Sequence, residues 1–196
     1  ERKILNISNI EKNPKKDVHY ILSDFVWSTY SQVLDQVLQL SRNLKKLNLN
    51  QENKIALFAE TCKNWMVMAL SAMEIRAAFV TLYTTLSDAC IVFCLTLTEP
   101  TVIYVDHKTI DRIVILLPQL PSIKTIIFDT NRCSSNEYIL EKQINGVNVL
   151  RFNDLTKYSD TMTKNDKFIQ YEYHPNDTVL IMFTSGSSGI PKGNKD

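Results

Sequence analysis

Short apolar segments alternate with helical patterns through the middle of this 196-residue chain. Strands are predicted at 54–59, 78–83, 101–105 and 124–128, and helices at 64–76, from Ser87 to about Leu97, and at 109–117. Strands that are apolar throughout and alternate with helices are typical of a parallel sheet buried on both faces. The sequence therefore predicts an α/β fold, with a mostly parallel sheet flanked by helices on both faces.

The residues before this alternation predict a lead-in and one long helix. Residues 1–17 are polar and lysine-rich and predict a flexible lead-in, and residues 19–27 predict one or two short strands. A helix is predicted at 29–47, and Thr29 with Gln32 is typical of a capping box at its start. Its apolar stripe consists of Tyr30, Val33, Leu34, Val37, Leu38, Leu44 and Leu47.

The residues after the alternation predict two more strands in the same domain. A short strand is predicted at 147–152 and a last one at 178–183. The polar stretches at 131–146 and 153–167 are interpreted as surface excursions, because neither is rich in both proline and glycine. A domain boundary near Asn153 is the alternative.

A segment rich in glycine and hydroxyl groups follows the last predicted strand. Two of the chain's four glycines lie in it, and small residues let backbone N–H groups converge on an anion. Hydroxyl groups and a lysine ammonium add further donors for phosphate oxygens. Pro191 restricts the backbone just before the lysine. The segment predicts a phosphate-binding loop for a nucleotide, formed by Thr184, Ser185, Gly186, Ser187, Ser188, Gly189 and Lys192.

Two other phosphate-binding motifs fit this segment less well. A Walker A loop requires glycine, four free residues and then Gly-Lys-Ser/Thr, whereas Gly186 is followed by glycine after only two residues and Lys192 is followed by Gly193. The dinucleotide fingerprint also fails, because the first tight glycine pair is missing and no helix pattern follows. Both motifs are disfavoured.

The run from Ile181 to Lys192 resembles the signature loop of the adenylate-forming (AMP-binding) enzymes at every defined position. Residues 25–44 and 54–106 are similar to the opening helix, strands and turns of the acyl-CoA synthetases in that superfamily. Leu82–Leu86, with the sequence LYTTL, is closer to the long-chain fatty acyl-CoA synthetases than to peptide-synthetase domains.

The resemblance implies that residues 1–196 are the N-terminal part of an adenylation domain. It implies the substrates ATP, a fatty acid and coenzyme A, with Mg²⁺, and it assigns the seven loop residues to the phosphates. The catalytic residues, the adenine-binding segment and the magnesium region of such enzymes are expected outside this chain, so the chain alone is expected to be inactive. After Gly193, Asn194 and the residues that follow depart from the family pattern. A non-catalytic module, another adenylate-forming ligase and a generic phosphate-binding module are the alternatives.

Composition excludes several other classes of function. The formal net charge of +1 does not indicate a nucleic-acid surface. Charged residues interrupt the apolar stretch 65–86, which therefore predicts a buried helix and strand instead of a membrane span. We expect a cytoplasmic protein, with peripheral membrane contact if the substrate is a long-chain acid. The cysteines are predicted to be buried reduced thiols, at Cys62, Cys90, Cys94 and Cys133. The histidines are predicted to be structural or exposed instead of catalytic, at His19, His107 and His174.

Overall fold

A computed structural model describes residues 25–130, 143–144, 146–157, 174–184 and 192–195 of the chain. The strands in these ranges are β1 (Lys54–Phe58), β2 (Ala78–Thr81), β3 (Val102–Asp106), β4 (Thr125–Asp129), β5 (Gln143–Ile144), β6 (Val147–Arg151), β7 (Leu180–Thr184) and β8 (Lys192–Lys195). The helices are α1 (Tyr30–Lys46), α2 (Lys63–Glu74), α3 (Asp88–Thr98), α4 (Ile110–Leu116) and α5 (Phe152–Leu155), and a 3-10 turn at Leu117–Gln119 follows α4.

The described strands form one sheet in the order β5-β6-β4-β3-β1-β2-β7-β8. All neighbours from β6 to β7 are parallel, and β5 and β8 add antiparallel pairs at the two edges. The chain leaves β1 toward β2 and then returns to place β3 on the other side of β1. Because such crossovers are right-handed, this reversal of direction puts α2 and α3 on opposite faces of the sheet. The predicted mostly parallel α/β sheet is confirmed.

Each face of the sheet carries its own buried core. Ile55 and Leu57 of β1 pack with α1 and α2, where Leu40, Leu44 and Met68 are fully buried. The alternate residues of β1 face α3 and α4, because side chains of a strand alternate between the two faces. The prediction of helices on both faces is therefore confirmed.

Helix α1 begins as predicted but buries a different stripe. The amide of Gln32 donates to Thr29 Oγ1 at 3.2 Å, and the amide of Thr29 donates to Gln32 Oε1 at 2.9 Å, which completes the capping box. Tyr30, placed in the apolar stripe, is 97% exposed and Leu34 is 46% exposed. Leu40, which the predicted stripe omitted, is fully buried. The difference arises because the first buried residue of α1 is Val37, so the start of the helix contributes little to the core.

We expect Thr29→Ala to lower the free energy of unfolding by about 1 kcal/mol, because the helix loses its capping acceptor. Urea denaturation measures the change. Ser31→Ala, in the same exposed first turn but outside the capping box, is the matched control. Equal effects of the two substitutions would contradict a capping role for Thr29.

Several smaller predictions differ from the structure. The strand predicted at 147–152 ends at Arg151, and Phe152 instead begins α5, where its ring meets that of Tyr104 edge-on at 5.7 Å. Strands β5 and β8 were not predicted. On α2, Met68 is fully buried and Trp65 packs partly buried against the same core, whereas Met73 is 37% exposed.

Other predictions fall largely outside the described residues. The lead-in at 1–17 and most of the strands predicted at 19–27 lie there, and residues 25–27, which are described, form no strand. Most of the polar connections at 131–146 and 153–167 also lie there. In the part of the chain that is described, no helix combines the length and apolar character needed to cross a membrane.

Candidate nucleotide site at the carboxyl edge of the sheet

Strand β7 ends at the edge of the sheet where the other parallel strands also end. It pairs with β2, with Val80 opposite Ile181, so Thr184 lies at the carboxyl edge. Strand β8 then returns antiparallel to β7, and its register places Lys192 opposite Thr184. The chain therefore enters and leaves residues 185–191 through two strands that are paired with each other. In open α/β sheets, ligands bind beyond this carboxyl edge.

The structure thus brings together the two ends of the predicted phosphate-binding loop. Thr184 is exposed at the end of β7, and the backbone of Lys192 begins β8. The remaining predicted residues lie outside the described residues, so their contact with phosphate stays a prediction: Ser185, Gly186, Ser187, Ser188 and Gly189. Sequence reasoning did not foresee β8, which contains the residues that depart from the family pattern.

A cavity of about 500 Å³ lies at this carboxyl edge, beside Met182 of β7. Trp65 at the start of α2 forms one wall, and Met182 of β7, 39% exposed, forms another. Met182 and Thr184 lie two residues apart on one strand, so they share a face of the sheet. The remaining lining residues follow β1 or end and follow β2: Ala59, Glu60, Thr61, Thr81, Leu82, Tyr83 and Thr84. The volume is in the range of small-molecule sites.

A buried carboxylate fixes the loop between β1 and α2, which forms part of the cavity wall. Asp106, at the end of β3, is 5% exposed and accepts the amide of Glu60 at 2.9 Å. It also accepts the amide of Lys108 at 2.9 Å, and the amide and hydroxyl of Thr109 at 3.2 and 3.1 Å. The single hydroxyl proton of Thr109 has an alternative and nearer acceptor in the carbonyl oxygen of Phe58, at 2.6 Å. The side chain of Asp106 therefore joins the loop after β1 to the loop after β3.

A second buried carboxylate holds the first turn of α2. Asp129, at the end of β4, accepts the hydroxyl of Tyr104 at 2.6 Å and the side-chain amide of Asn64 at 3.0 Å. Burial, reinforced by the hydrogen bond to Asp129, holds the pKa of the Tyr104 phenol well above its usual range. The phenol is therefore a permanent hydrogen-bond donor at neutral pH. Because Asn64 precedes Trp65, this network positions the aromatic wall of the cavity.

Sequence reasoning missed both of these networks. The sequence did contain one indication of these networks, because two of the apolar segments each end in an aspartate, Asp106 and Asp129. Strand ends are polar in many folds, so this signal alone does not identify partners. The sheet order β4-β3-β1 is what brings the two carboxylates to the loop after β1.

The entry to β7 is fixed at the opposite edge of the sheet. Arg76 donates from Nη2 to Asp177 Oδ2 at 2.5 Å, three residues before β7 begins. The amide of His174 donates to the same carboxylate at 3.1 Å. That amide, with Arg76, holds the pKa of Asp177 below its ordinary value of 3.8. The negative charge of Asp177 therefore helps hold the segment that leads into β7.

This lowered pKa predicts a pH dependence. A carboxyl group whose folded-state pKa is depressed stabilises the fold above its unfolded pKa, and the effect disappears as pH falls through the folded pKa. We expect the wild-type protein to be more stable than Asp177→Asn at pH 7, and the difference to narrow below about pH 3.8. Urea denaturation between pH 2.5 and pH 7 measures it. A difference that is the same throughout this range would contradict the role of the charge.

None of the cysteines and histidines among the described residues lines this cavity. Of the three cysteines in the described residues, Cys62, Cys90 and Cys94, all are free thiols and only Cys94 is buried, so the expectation of buried thiols is correct for Cys94 and wrong for the other two. Cys133 lies outside the described residues. Burial, with the neighbouring Cys90, raises the pKa of Cys94 to about 11. Cys62 instead accepts the amide of Trp65 at 3.5 Å as the N-cap of α2. Among the described residues, no three His, Cys, Asp or Glu side chains form a group that could hold a metal ion.

The family model described as AMP-binding enzyme matches residues 8–195 of this chain. The chain belongs to the AMP-binding enzyme family. Similar proteins of this family include a palmitoyl-CoA ligase of Gibberella moniliformis, 30% identical over 187 residues that cover 94% of this chain and 27% of the ligase. Long-chain-fatty-acid–CoA ligase 1 of Saccharomyces cerevisiae is 30% identical over 193 residues, covering 91% of this chain and 28% of the ligase. The resemblance to acyl-CoA synthetases is thereby confirmed.

Solved structures of AMP-binding enzymes share the fold. The adenylation domain of a carboxylate reductase from Mycobacterium chelonae superposes with a TM-score of 0.72 at 14% identity, covering 100% of this chain and 30% of that chain. At this identity the likeness speaks for the fold alone. The chain spans roughly a quarter of the length of the curated relatives it matches.

Proposed function

We propose that this chain is the N-terminal part of an ATP-dependent long-chain fatty acid–CoA ligase. The observation that carries the proposal is that Thr184 and Lys192, the two ends of the signature loop, are paired at the carboxyl edge of the sheet in a member of the AMP-binding enzyme family. The similarity to long-chain fatty acid–CoA ligases supports the choice of substrate.

The proposed reaction has two half-reactions. The fatty carboxylate attacks the α-phosphorus of ATP, which forms the acyl-adenylate and releases pyrophosphate. The thiol of coenzyme A then attacks the acyl carbon, which forms the acyl-CoA thioester and releases AMP together with the thiol proton. Mg²⁺ would accompany ATP through its phosphate oxygens, as is usual for this ion.

The loop would supply electrostatic stabilisation in the first half-reaction. Negative charge accumulates on the departing pyrophosphate, and preorganised donors stabilise such charge strongly where water is excluded. The glycines at 186 and 189 would allow the backbone to approach the phosphates, and Lys192 would meet the β- and γ-phosphates. The hydroxyl groups would donate hydrogen bonds from Thr184, Ser185, Ser187 and Ser188. None of these groups would transfer a proton to or from the reacting atoms, so their role is to position and screen charge.

The cavity at the carboxyl edge of the sheet supports this proposal. It opens at the carboxyl ends of β1 and β2 and contacts Met182, two residues before Thr184. Its lining combines the apolar surfaces of Trp65 and Leu82 with the polar groups of Glu60 and Thr61. A substrate group of mixed polarity would fit there, in reach of phosphates held by the loop.

Isotope exchange between labelled pyrophosphate and ATP tests the function in the full-length protein. We expect exchange that requires palmitate and Mg²⁺, and palmitoyl-CoA formation when coenzyme A is added. Acetate serves as the control acid, and we expect it to support little exchange. Absence of exchange with fatty acids of 8 to 20 carbons would contradict the proposal and favour a non-catalytic module.

We expect the 196-residue chain by itself to catalyse no exchange and to bind ATP weakly, because its relatives extend over roughly four times its length. Isothermal titration with Mg-ATP is the measurement, with GTP and NAD as controls for nucleotide preference. Micromolar affinity for ATP in this chain would contradict the expectation that most of the site lies elsewhere.

We also propose that the full-length protein acts in the cytoplasm with peripheral membrane contact. A long-chain acid partitions into bilayers, so an enzyme that uses it gains access to its substrate at a membrane surface. Fractionation of cells before and after a high-salt wash tests this location. Recovery only in detergent extracts would contradict peripheral contact.

A further inference from the structure

We propose that Arg112 is a positioning residue that holds the turn after β2 in place as a wall of the cavity. The turn, residues 83–87, contains Tyr83 and Thr84, both of which line the cavity. Arg112 lies on α4 and does not line it. The proposal rests on the proposed function, since it concerns the substrates that would occupy this cavity.

The guanidinium of Arg112 binds the backbone of the turn directly. Nη1 donates to the carbonyl oxygen of Thr84 at 2.8 Å, and Nη2 donates to the carbonyl oxygen of Leu86 at 2.6 Å. Nη2 also donates to Asp88 Oδ1 at 2.6 Å, and Nε donates to the same oxygen at 3.0 Å. One side chain therefore contacts three points along the path from the turn into α3.

The same guanidinium also joins the turn to β1. Its central carbon lies 5.5 Å from the ring centroid of Phe58, a distance typical of a cation–π contact. Phe58 is fully buried, and the next residues, Ala59 and Glu60, line the cavity from the other side. Arg112 thus ties the turn after β2 to the rigid end of a central strand.

Apart from Arg112, the described contacts that hold this turn are the packing of Leu86 against the core and a few local hydrogen bonds. Within it, the amide of Leu86 donates to the carbonyl of Tyr83 at 3.1 Å. At its end, Ser87 accepts the amide of Cys90 at 3.3 Å as the N-cap of α3. Tyr83 is exposed, so packing does not fix the most prominent side chain of the wall. The position of the wall therefore depends on Arg112.

An arginine suits this position and a lysine does not. The guanidinium is planar and presents several donors in fixed directions, so it can serve two carbonyl groups and a carboxylate while stacking on a ring. An ammonium group is a compact charge that cannot reach all of them at once. Asp88 is the most exposed of these partners, so its contact should contribute least to holding the turn.

The test uses three variants of the full-length protein. Arg112→Lys keeps the positive charge and the alkyl stem, and therefore the stability of the fold, while Arg112→Ala removes the contacts entirely. Asp88→Asn is the matched control, because it removes the charge of the exposed partner and leaves the carbonyl contacts. Hydrogen exchange followed by mass spectrometry reports the protection of residues 82–88, and pyrophosphate exchange and acyl-CoA formation report kcat and the KM of each substrate.

We expect amide exchange in 82–88 to become about ten-fold faster in both Arg112 variants and to stay unchanged in β3. We expect the KM of the substrate that occupies the cavity to rise about ten-fold, because small displacements of positioning groups have effects of at least this size. A loss of folded enzyme would lower kcat and leave every KM unchanged, so the KM values separate positioning from general destabilisation. Asp88→Asn should change both readouts less than two-fold.

Two results would overturn the proposal. Unchanged exchange in 82–88 would show that Arg112 does not hold the turn, and faster exchange with unchanged KM values would show that the turn does not position a substrate. If the wild-type protein shows no pyrophosphate exchange, the proposed function is wrong and the substrate role of Arg112 falls with it. Hydrogen exchange then still decides whether Arg112 anchors the turn.

Discussion

Lys192→Ala in the full-length protein is expected to lower the rate of ATP–pyrophosphate exchange by about 100- to 1000-fold, because a charged donor to the departing pyrophosphate is lost. Lys192 begins β8 at the edge of the sheet, opposite Thr184, so the strand pairing that closes the loop does not depend on its ammonium group. The free energy of unfolding is therefore expected to change by less than about 0.5 kcal/mol.

Lys195→Ala is the matched control for this substitution. Lys195 ends the same strand, and its backbone lies opposite Ile181, away from the loop. It should retain nearly the full exchange rate. Similar losses in the two variants would indicate a general effect of charge at this edge, and an unchanged rate in Lys192→Ala would contradict the assigned role of Lys192.

Asp106→Ala is expected to have the largest effect on stability, a loss of about 3 kcal/mol or more in the free energy of unfolding. The carboxylate accepts hydrogen bonds from the amides of Glu60, Lys108 and Thr109, and its removal leaves part-buried donors without a partner. Unsatisfied buried donors are costly, and hydrogen bonds to a charged acceptor are stronger than neutral ones.

Chemical denaturation of Asp106→Ala measures this loss. Asp106→Asn, which keeps one acceptor oxygen, should be intermediate, and Asp111→Asn, on the next helix and exposed, should be close to the wild type. Because the loop held by Asp106 lines the cavity, both Asp106 variants should also raise a substrate KM. A loss below about 1 kcal/mol in Asp106→Ala would contradict the structural role of this carboxylate.

The central part of the sheet could be predicted from the sequence because its strands are buried on both faces. β1, β3 and β4 are apolar runs bounded by polar residues, and each lies within one residue of its predicted range. The edge strands could not be predicted in this way. β8, with the sequence KGNK, has no apolar pattern. It forms a strand because it pairs with the adjacent strand β7.

The candidate site, too, could be predicted from the sequence only in part. The signature loop is contiguous, so its spacing from Thr184 to Lys192 could be recognised without knowledge of the fold. The groups that hold the cavity walls come from separate elements. Arg112 reaches Thr84 across 28 residues, and Tyr104 reaches Asp129 across 25. Only the sheet order brings such residues together, so no local pattern reveals them.

The proposed function requires that the loop between β7 and β8 receive the triphosphate of ATP. A crystal structure of the full-length protein with Mg²⁺ and a non-hydrolysable ATP analogue tests it most directly. We expect the β- and γ-phosphate oxygens to lie within hydrogen-bond distance, about 2.7–3.2 Å, of backbone amides in 185–189 and of Lys192. A well-ordered analogue whose phosphates contact other elements, with this loop free of them, would contradict the claim.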